Sequence, residues 1–447
     1  MSGLDQFGYK EELKRALSTR DLLVYGMIFM VPIAPFSIFG FVWADSKGMV
    51  PLAYLVGMVG MFFTALSYAA MSEAFPVAGS VYSYAHRGLH EIAGFFSGWL
   101  ILLDYILVPA LLYIISAVAL QPMVPGVPAW AWIACFIGFN GVINLLGVQF
   151  TAKANLYMLA FELIVLALFV GFGLYALYSG HGAGRLTMKP LYNPQVFSVG
   201  TVVGATSIAV LSFLGFDGIS TLSEESKGGP KAVGRATLLA LVLVGALFII
   251  QTWIAVDLAQ GMTFQSAETA FYEISHLVGG VWLERLVLIS VVVSSGIANA
   301  MAAQAAVARI LFAMARDRKL PAVLAKIHPR FQTPYVSTIA VSVISLIVGL
   351  YFLGNLDDLS RLVNFGALCS FLVLHVAVIN HYVVRGRSRR WLAHLVSPIF
   401  GLIVIGYVLV EMDQKARVMG FCWLALGVLY YLMLTRVFKK PVALDIG

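Results

Sequence analysis

Charge is what this chain has least of. Only 11% of its 447 residues are Asp, Glu, Lys or Arg, against 60% apolar, and mean hydropathy is +0.90. A soluble domain carries about 25% charged residues, so a water-soluble enzyme and a disordered chain are both excluded, and an integral membrane protein remains. Cysteine is scarce too. Cys135, Cys369 and Cys422 are odd in number, lie inside apolar runs and show no ligand spacing, which speaks against a disulfide framework or a zinc site. A phosphate-binding glycine loop, G-x-S-x-G and H-E-x-x-H are all missing, so neither an ATP-driven pump nor an obvious intramembrane hydrolase is expected. His375 and His381 lack the i, i+4 spacing of a helical metal site. No cofactor, no metal, no enzymatic activity and no cleavable leader are expected.

What is abundant is long apolar runs. Twelve can be marked, at about 22–43, 50–72, 93–119, 128–147, 154–178, 200–222, 236–257, 281–314, 334–354, 361–384, 394–411 and 417–436. They are too long for strands and lack period-two alternation, so the fold class is an all-α membrane protein with 12 transmembrane helices. The basic residues set orientation. With this register, 22 of the 29 Lys and Arg fall on one side and 7 on the other. The positive-inside rule places both termini in the cytoplasm, and so explains the basic excess without nucleic acid.

Spans 1 and 6 are the most interrupted, and five spans per unit would insert a second copy upside down. That divides the chain into a tail (1–21), a first repeat (22–178), a second repeat (200–384), two further spans (394–436) and a C-terminal tail (437–447). A six-plus-six arrangement competes with it. Span 1 carries Pro32 and Pro35, which remove amide donors and press on the carbonyls of Ile28 and Val31. In span 6, Gly215 and Gly218 bracket Asp217 inside an apolar helix. Gly costs a helix about 1 kcal/mol and a carboxylate at depth several more. Paired breaks of this kind point to a midplane binding site, because freed main-chain groups are tolerated in hydrocarbon only where they line a protein cavity.

Ionisable residues within spans are functional candidates. Glu162 lies about two turns inside span 5 with no basic neighbour along the helix, which suits a group that gains and loses a proton. Asp217 could attract an amine or cap the inner half of span 6. Asp104 and Tyr105 in span 3 add a further polar pair. Glu224 and Glu225 end span 6 beside Lys227 and Lys231, as a solvated face or a gate ion pair. Phe36, Phe39, Phe213 and Phe216 could close over an amine through their ring faces. The candidate substrate contacts are therefore Ile33, Ala34, Phe36, Ser37, Asp104, Tyr105, Phe213, Gly215, Phe216 and Asp217. Glu162 is the candidate for proton coupling, and Phe39, Phe213, Glu224 and Glu225 are candidates for gating.

Three segments carry a family resemblance. Ala74 to Tyr84 (AFPVAGSVYSY) resembles the first cytoplasmic loop of the amino acid–polyamine–organocation superfamily. Ser212 to Glu225 (SFLGFDGISTLSEE) resembles its span 6, and Ala308 to Asp317 with Leu320-Pro321 resembles its motif closing span 8. Leu102 to Tyr105, Asn364 to Ala367 and Asn380-His381 look most like the bacterial putrescine importer branch. The resemblance implies a leucine-transporter-type 5+5 inverted repeat plus two C-terminal helices, with a site between spans 1 and 6. It further implies proton-driven uptake or exchange at the inner membrane.

Relatives that bind α-amino acids offer main-chain amides from a Gly-x-Gly-like stretch. Here Ala34-Pro35-Phe36-Ser37 stands in its place, and Pro35 has no amide. Putrescine importers carry an acidic residue at the place of Ser37. The expected partners are a small amine, putrescine first, or else a small neutral or ω-amino acid, together with protons and the lipid bilayer. The protein is expected to be a monomer or homodimer. A non-transporting membrane sensor is the remote alternative.

Overall fold

The computed structural model describes residues 17–76, 80–147, 152–316 and 320–437, apart from the side chains of 152–155, 224, 225, 230, 313, 436 and 437. Helices α1 (Thr19–Met30), α2 (Pro35–Ser46), α3 (Val50–Ala74), α4 (Ser80–Gly88), α5 (Glu91–Leu120), α6 (Ala129–Leu145), α7 (Ala152–Tyr178) and α8 (Val199–Ala209) make up the first part. The second comprises α9 (Gly229–Leu258), α10 (Ala270–Val291), α11 (Ala300–Arg316), α12 (Tyr335–Tyr351), α13 (Leu356–Val378), α14 (Ser397–Glu411) and α15 (Gln414–Leu432). Among the described residues there is no strand, only an isolated bridge between Leu17 and Ser226.

Among the described residues nine helical stretches are long and apolar enough to cross a bilayer, and α1 with α2 forms a tenth that is bent by 53°. The sequence runs 128–147 and 334–354 become α6 and α12, shorter apolar helices of 17 residues each. Local signals explain the ends. Ser18 and Asp21 form a capping box at the start of α1, and Pro35 opens α2, where its missing donor costs nothing.

Two elements differ from expectation. The amphipathic helix α4 occupies a stretch read only as a loop; Val81 and Tyr84 point inward from it. Helix also precedes the run at 281–314. It begins at Ala270, and only Gly280, at φ 67° and ψ −164°, breaks it before span 8 proper. Residues 270–275 are an apolar cap whose Phe271 stacks on Phe36 of α2, ring centroids 4.2 Å apart. In the body of the molecule α3 packs along α9 and α5 along α13.

Candidate functional site

Both expected breaks are present. The chain leaves α1 at Met30, turns through Val31 at φ 53° and ψ 97°, and re-enters helix at Pro35. A β-branched residue with positive φ is strained, so the surroundings must hold it there. The expected loss of pairing at Ile28 and Val31 is smaller than the prolines suggest. Val31 N donates to Ile28 O at 3.1 Å, and Ala34 N donates to Val31 O at 2.8 Å, so tight turns replace the lost helical bonds. The Pro32 carbonyl is met by Gln251 Nε2 of α9 at 2.9 Å.

In span 6, α8 tightens into a short turn over Val210–Phe213. Leu214 is extended, Gly215 sits at φ 110°, and a second tight helix runs Phe216–Glu225. A Cβ on Gly215 would lie 2.7 Å from the Phe29 carbonyl oxygen, so the two breaks pass backbone against backbone. Only glycine allows that approach with that φ.

Beside the breaks lies a cavity bounded by residues of spans 1, 3, 6 and 8. Of the expected contacts, Ala34, Ser37, Asp104, Tyr105, Gly215 and Asp217 line it. Asp217 is held by the protein: Tyr105 Oη donates to Oδ2 at 2.9 Å and Gly215 N donates to Oδ1 at 3.3 Å. Its carboxylate thus ties the break to span 3 from the first turn of the helix that follows. Asp104 differs. It is 5% exposed, and its Oδ1 is buried without a partner. Among the described residues no Lys, Arg or His lines the cavity.

The remaining expected contacts are placed elsewhere. Ile33 is buried outside the lining. Phe36 stacks with Phe271 and Phe169, and Phe39 meets Phe271 and Trp43. Phe213 packs on Phe248 and Tyr54, and Phe216 on Tyr68 and Phe371. These rings anchor the half-helices to their neighbours, which is where large apolar side chains gain most from burial. Phe29, not singled out from the sequence, is the phenylalanine that lines the cavity among the described residues, beside the Tyr105 ring.

Glu162 is 1% exposed, neither carboxyl oxygen has a hydrogen-bond partner, and its polar neighbour is Ser294. Glu224 and Glu225 have their backbone in the tight helix, while their side chains lie outside the described residues. At the opposite end of the molecule the ion pairs are visible. Arg361 of α13 bonds Asp45 of α2 at 2.8 Å and Asp357 at 3.0 Å.

Sequence reasoning missed Ser212, Ser295 and Asn299, which also line the cavity. Ser295 and Asn299 belong to a π-helical turn, Val292–Asn299, on the path from α10 to α11. The signal was available, because Ser294, Ser295 and Asn299 interrupt an apolar run, but small polar residues in a span are usually satisfied helix–helix contacts. His375 illustrates that ordinary case. It bonds the hydroxyls of Ser67 at 2.9 Å and Thr64 at 3.3 Å on α3, and Asn380 Nδ2 bonds Gly88 O at 2.7 Å.

Two helices that break side by side over a buried acidic cavity define a multi-pass membrane transporter rather than an enzyme. The chain belongs to the amino acid permease family of the amino acid–polyamine–organocation superfamily, whose pattern it matches over residues 21–437. It is 30% identical over 438 residues to the low-affinity putrescine importer of Escherichia coli (strain K12), covering 96% of each chain. It is 25% identical over 461 residues to a branched-chain amino acid permease of Bacillus subtilis (strain 168), covering 96% of this chain and 95% of that one. A methylthioribose transporter of the same organism is 26% identical over 452 residues, with 95% and 94% covered.

Proposed function

We propose that the protein is a secondary carrier that takes up a small amine, putrescine-like in first expectation, together with protons. It works by alternating access across a bacterial inner membrane, with twelve spans in a 5+5 inverted repeat plus two and both termini cytoplasmic. One observation carries the amine reading. Asp104 presents a buried carboxyl group, its Oδ1 without a protein donor, to a cavity that no basic side chain lines among the described residues. Such a group gains most from an ammonium, whose N–H donors supply both charge and hydrogen bonds.

The main-chain amides support the same choice. Those of Val31, Ala34, Phe36, Ser37, Leu214, Gly215 and Gly218 all donate within the protein, while Pro32 and Pro35 have none. Little is left to hold a substrate carboxylate. Glu162 is the proposed proton carrier, since it is buried and unpartnered in the helix beside span 1. A second reading, a permease or exchanger for small neutral or ω-amino acids, draws on the apolar wall of Val108, Leu111, Leu112 and Ile115 and on the names of relatives.

The deciding experiment is Asp104→Asn in proteoliposomes with labelled putrescine, competed by cadaverine, GABA and alanine. Losing one partner of a buried charge pair costs about 2–5 kcal/mol, so amine affinity should fall roughly 30-fold or more. Unchanged affinity, or alanine displacing the label better than cadaverine, would overturn the amine reading.

A further inference from the structure

The geometry points to Asn299 as the residue that reads the end of the substrate remote from its ammonium. We infer that the site is built for a monocationic amine with an uncharged hydrogen-bonding far end, not for a dication. This rests on the amine reading above and replaces its first expectation, the dication putrescine, with an amine that carries a single charge.

The cavity has two polar poles of different character. One holds both carboxylates: Asp104 is adjacent in the chain to Tyr105, and Tyr105 is bonded to Asp217. From there α5 lines the cavity with Val108, Leu111, Leu112 and Ile115, an apolar wall on one helical face. The other pole is the π-helical turn. Gly296 there packs on Ser116 of α5, and farther along the same span Gln304 reaches Tyr113, so α5 and span 8 run in opposite directions. Asn299 lies one turn past Gly296. It therefore stands about two turns of α5 away from Asp104, or on the order of 12 Å along the axis.

The widened turn places Ser295 and Asn299, four residues apart, on the cavity wall, while Ser294 neighbours Glu162. π-Turns of this kind recur at functional sites. Asn299 is 7% exposed, and its Oδ1 is buried with no hydrogen-bond partner. A buried acceptor left unpaired in the protein is a position a ligand donor can fill.

Charge decides between ligands. No carboxylate lies among the lining residues of span 8, and Glu162 beside Ser294 lies outside the lining, so a second ammonium at Asn299 would have no carboxylate in contact with it. A hydroxyl or amide end needs only what Asn299 and Ser295 offer, a donor and an acceptor each. A site that hydrogen-bonds a substrate group also rejects the analogue lacking it, because the protein's own polar atoms are then left unpaired.

The test uses the full chain in proteoliposomes and three probes built on the same four-carbon chain: 4-amino-1-butanol, butylamine and putrescine. Wild type should bind the amino alcohol at least about tenfold more tightly than putrescine. Asn299→Asp should shift that ratio toward putrescine by about tenfold or more, and Asn299→Leu should abolish the advantage of the amino alcohol over butylamine. The inference is overturned if wild type prefers putrescine, or if both variants leave the ratios unmoved. Asp104→Asn separates the two levels. If it weakens all three probes while the ratios ignore Asn299, only this inference falls. If it weakens none, or no probe binds wild type, the amine reading falls as well.

Discussion

Gly215→Ala tests the close passage of the two breaks. Alanine at φ 110° leaves the allowed regions for an L-residue, at a cost of about 1–2 kcal/mol. Its Cβ would also sit 2.7 Å from the Phe29 carbonyl oxygen, well inside contact distance, and a backbone atom cannot rotate away. Overpacking of that kind adds roughly 1–3 kcal/mol, for a total of about 2–5 kcal/mol. Gly218→Ala is the built-in control. A Cβ there meets the Phe29 ring at 2.7 Å, but the residue's φ is not positive and the ring can turn, so only about 1–2 kcal/mol is expected.

Phe29→Val then separates the two. It removes the ring, which opposes Gly218 and also meets a Cβ on Gly215 at 2.7 Å, and leaves in place the carbonyl that opposes Gly215 alone. A double-mutant cycle, read by denaturant titration in mixed micelles, should show Gly218→Ala rescued and Gly215→Ala relieved only in part. Equal costs at the two glycines, or full rescue of both by Phe29→Val, would refute the argument that backbone approach fixes the break.

Three further outcomes follow from the same geometry. Gln251→Met strips the Pro32 carbonyl of its donor and should cost about 1–3 kcal/mol in the same titration; no loss would mean that another group covers that carbonyl. Arg361→Met leaves Asp45 and Asp357 facing each other at the end opposite residue 17. Both are about one-third exposed, so screening holds the expected loss to about 1 kcal/mol, and 1 M salt should shrink it; a salt-independent loss would point to packing instead. Glu162→Gln should keep amine binding but make uptake indifferent to an imposed pH gradient, and uptake that still follows the gradient would remove Glu162 from coupling.

Much of the architecture was legible because its causes are local. Proline pairs and a Gly-Phe-Asp-Gly stretch break helices wherever they occur, and both breaks appear at Val31–Ala34 and Leu214–Gly215. The run boundaries hold mostly to within a few residues, the largest shifts being at the run expected from 281, whose helix begins at Ala270, and at α9, which starts at Gly229 rather than 236. Polar residues at depth were legible for a similar reason: burying them is expensive, so Asp104, Asp217 and Ser37 had to face one another or a cavity.

The aromatic contacts were not legible, and the reason is angular. A ring next to a break can point at the solute or at any of several neighbouring helices, and sequence proximity does not distinguish them. Phe29 and Phe36 flank the same break, yet one lines the cavity and the other stacks on Phe271 from a helical cap that lies more than 200 residues away in the chain. The π-turn was hidden more deeply still. Val292–Asn299 holds neither proline nor a glycine with positive φ, so nothing local announces the extra residue in the turn. A regular α-helix sends positions 294, 295 and 299 around its surface at about 100° per residue, and widening the turn redistributes them. Here Ser295 and Asn299 go to the cavity and Ser294 goes to Glu162. One irregular turn therefore touches both the substrate space and the buried carboxylate, a connection that no count of residues along the chain could reveal.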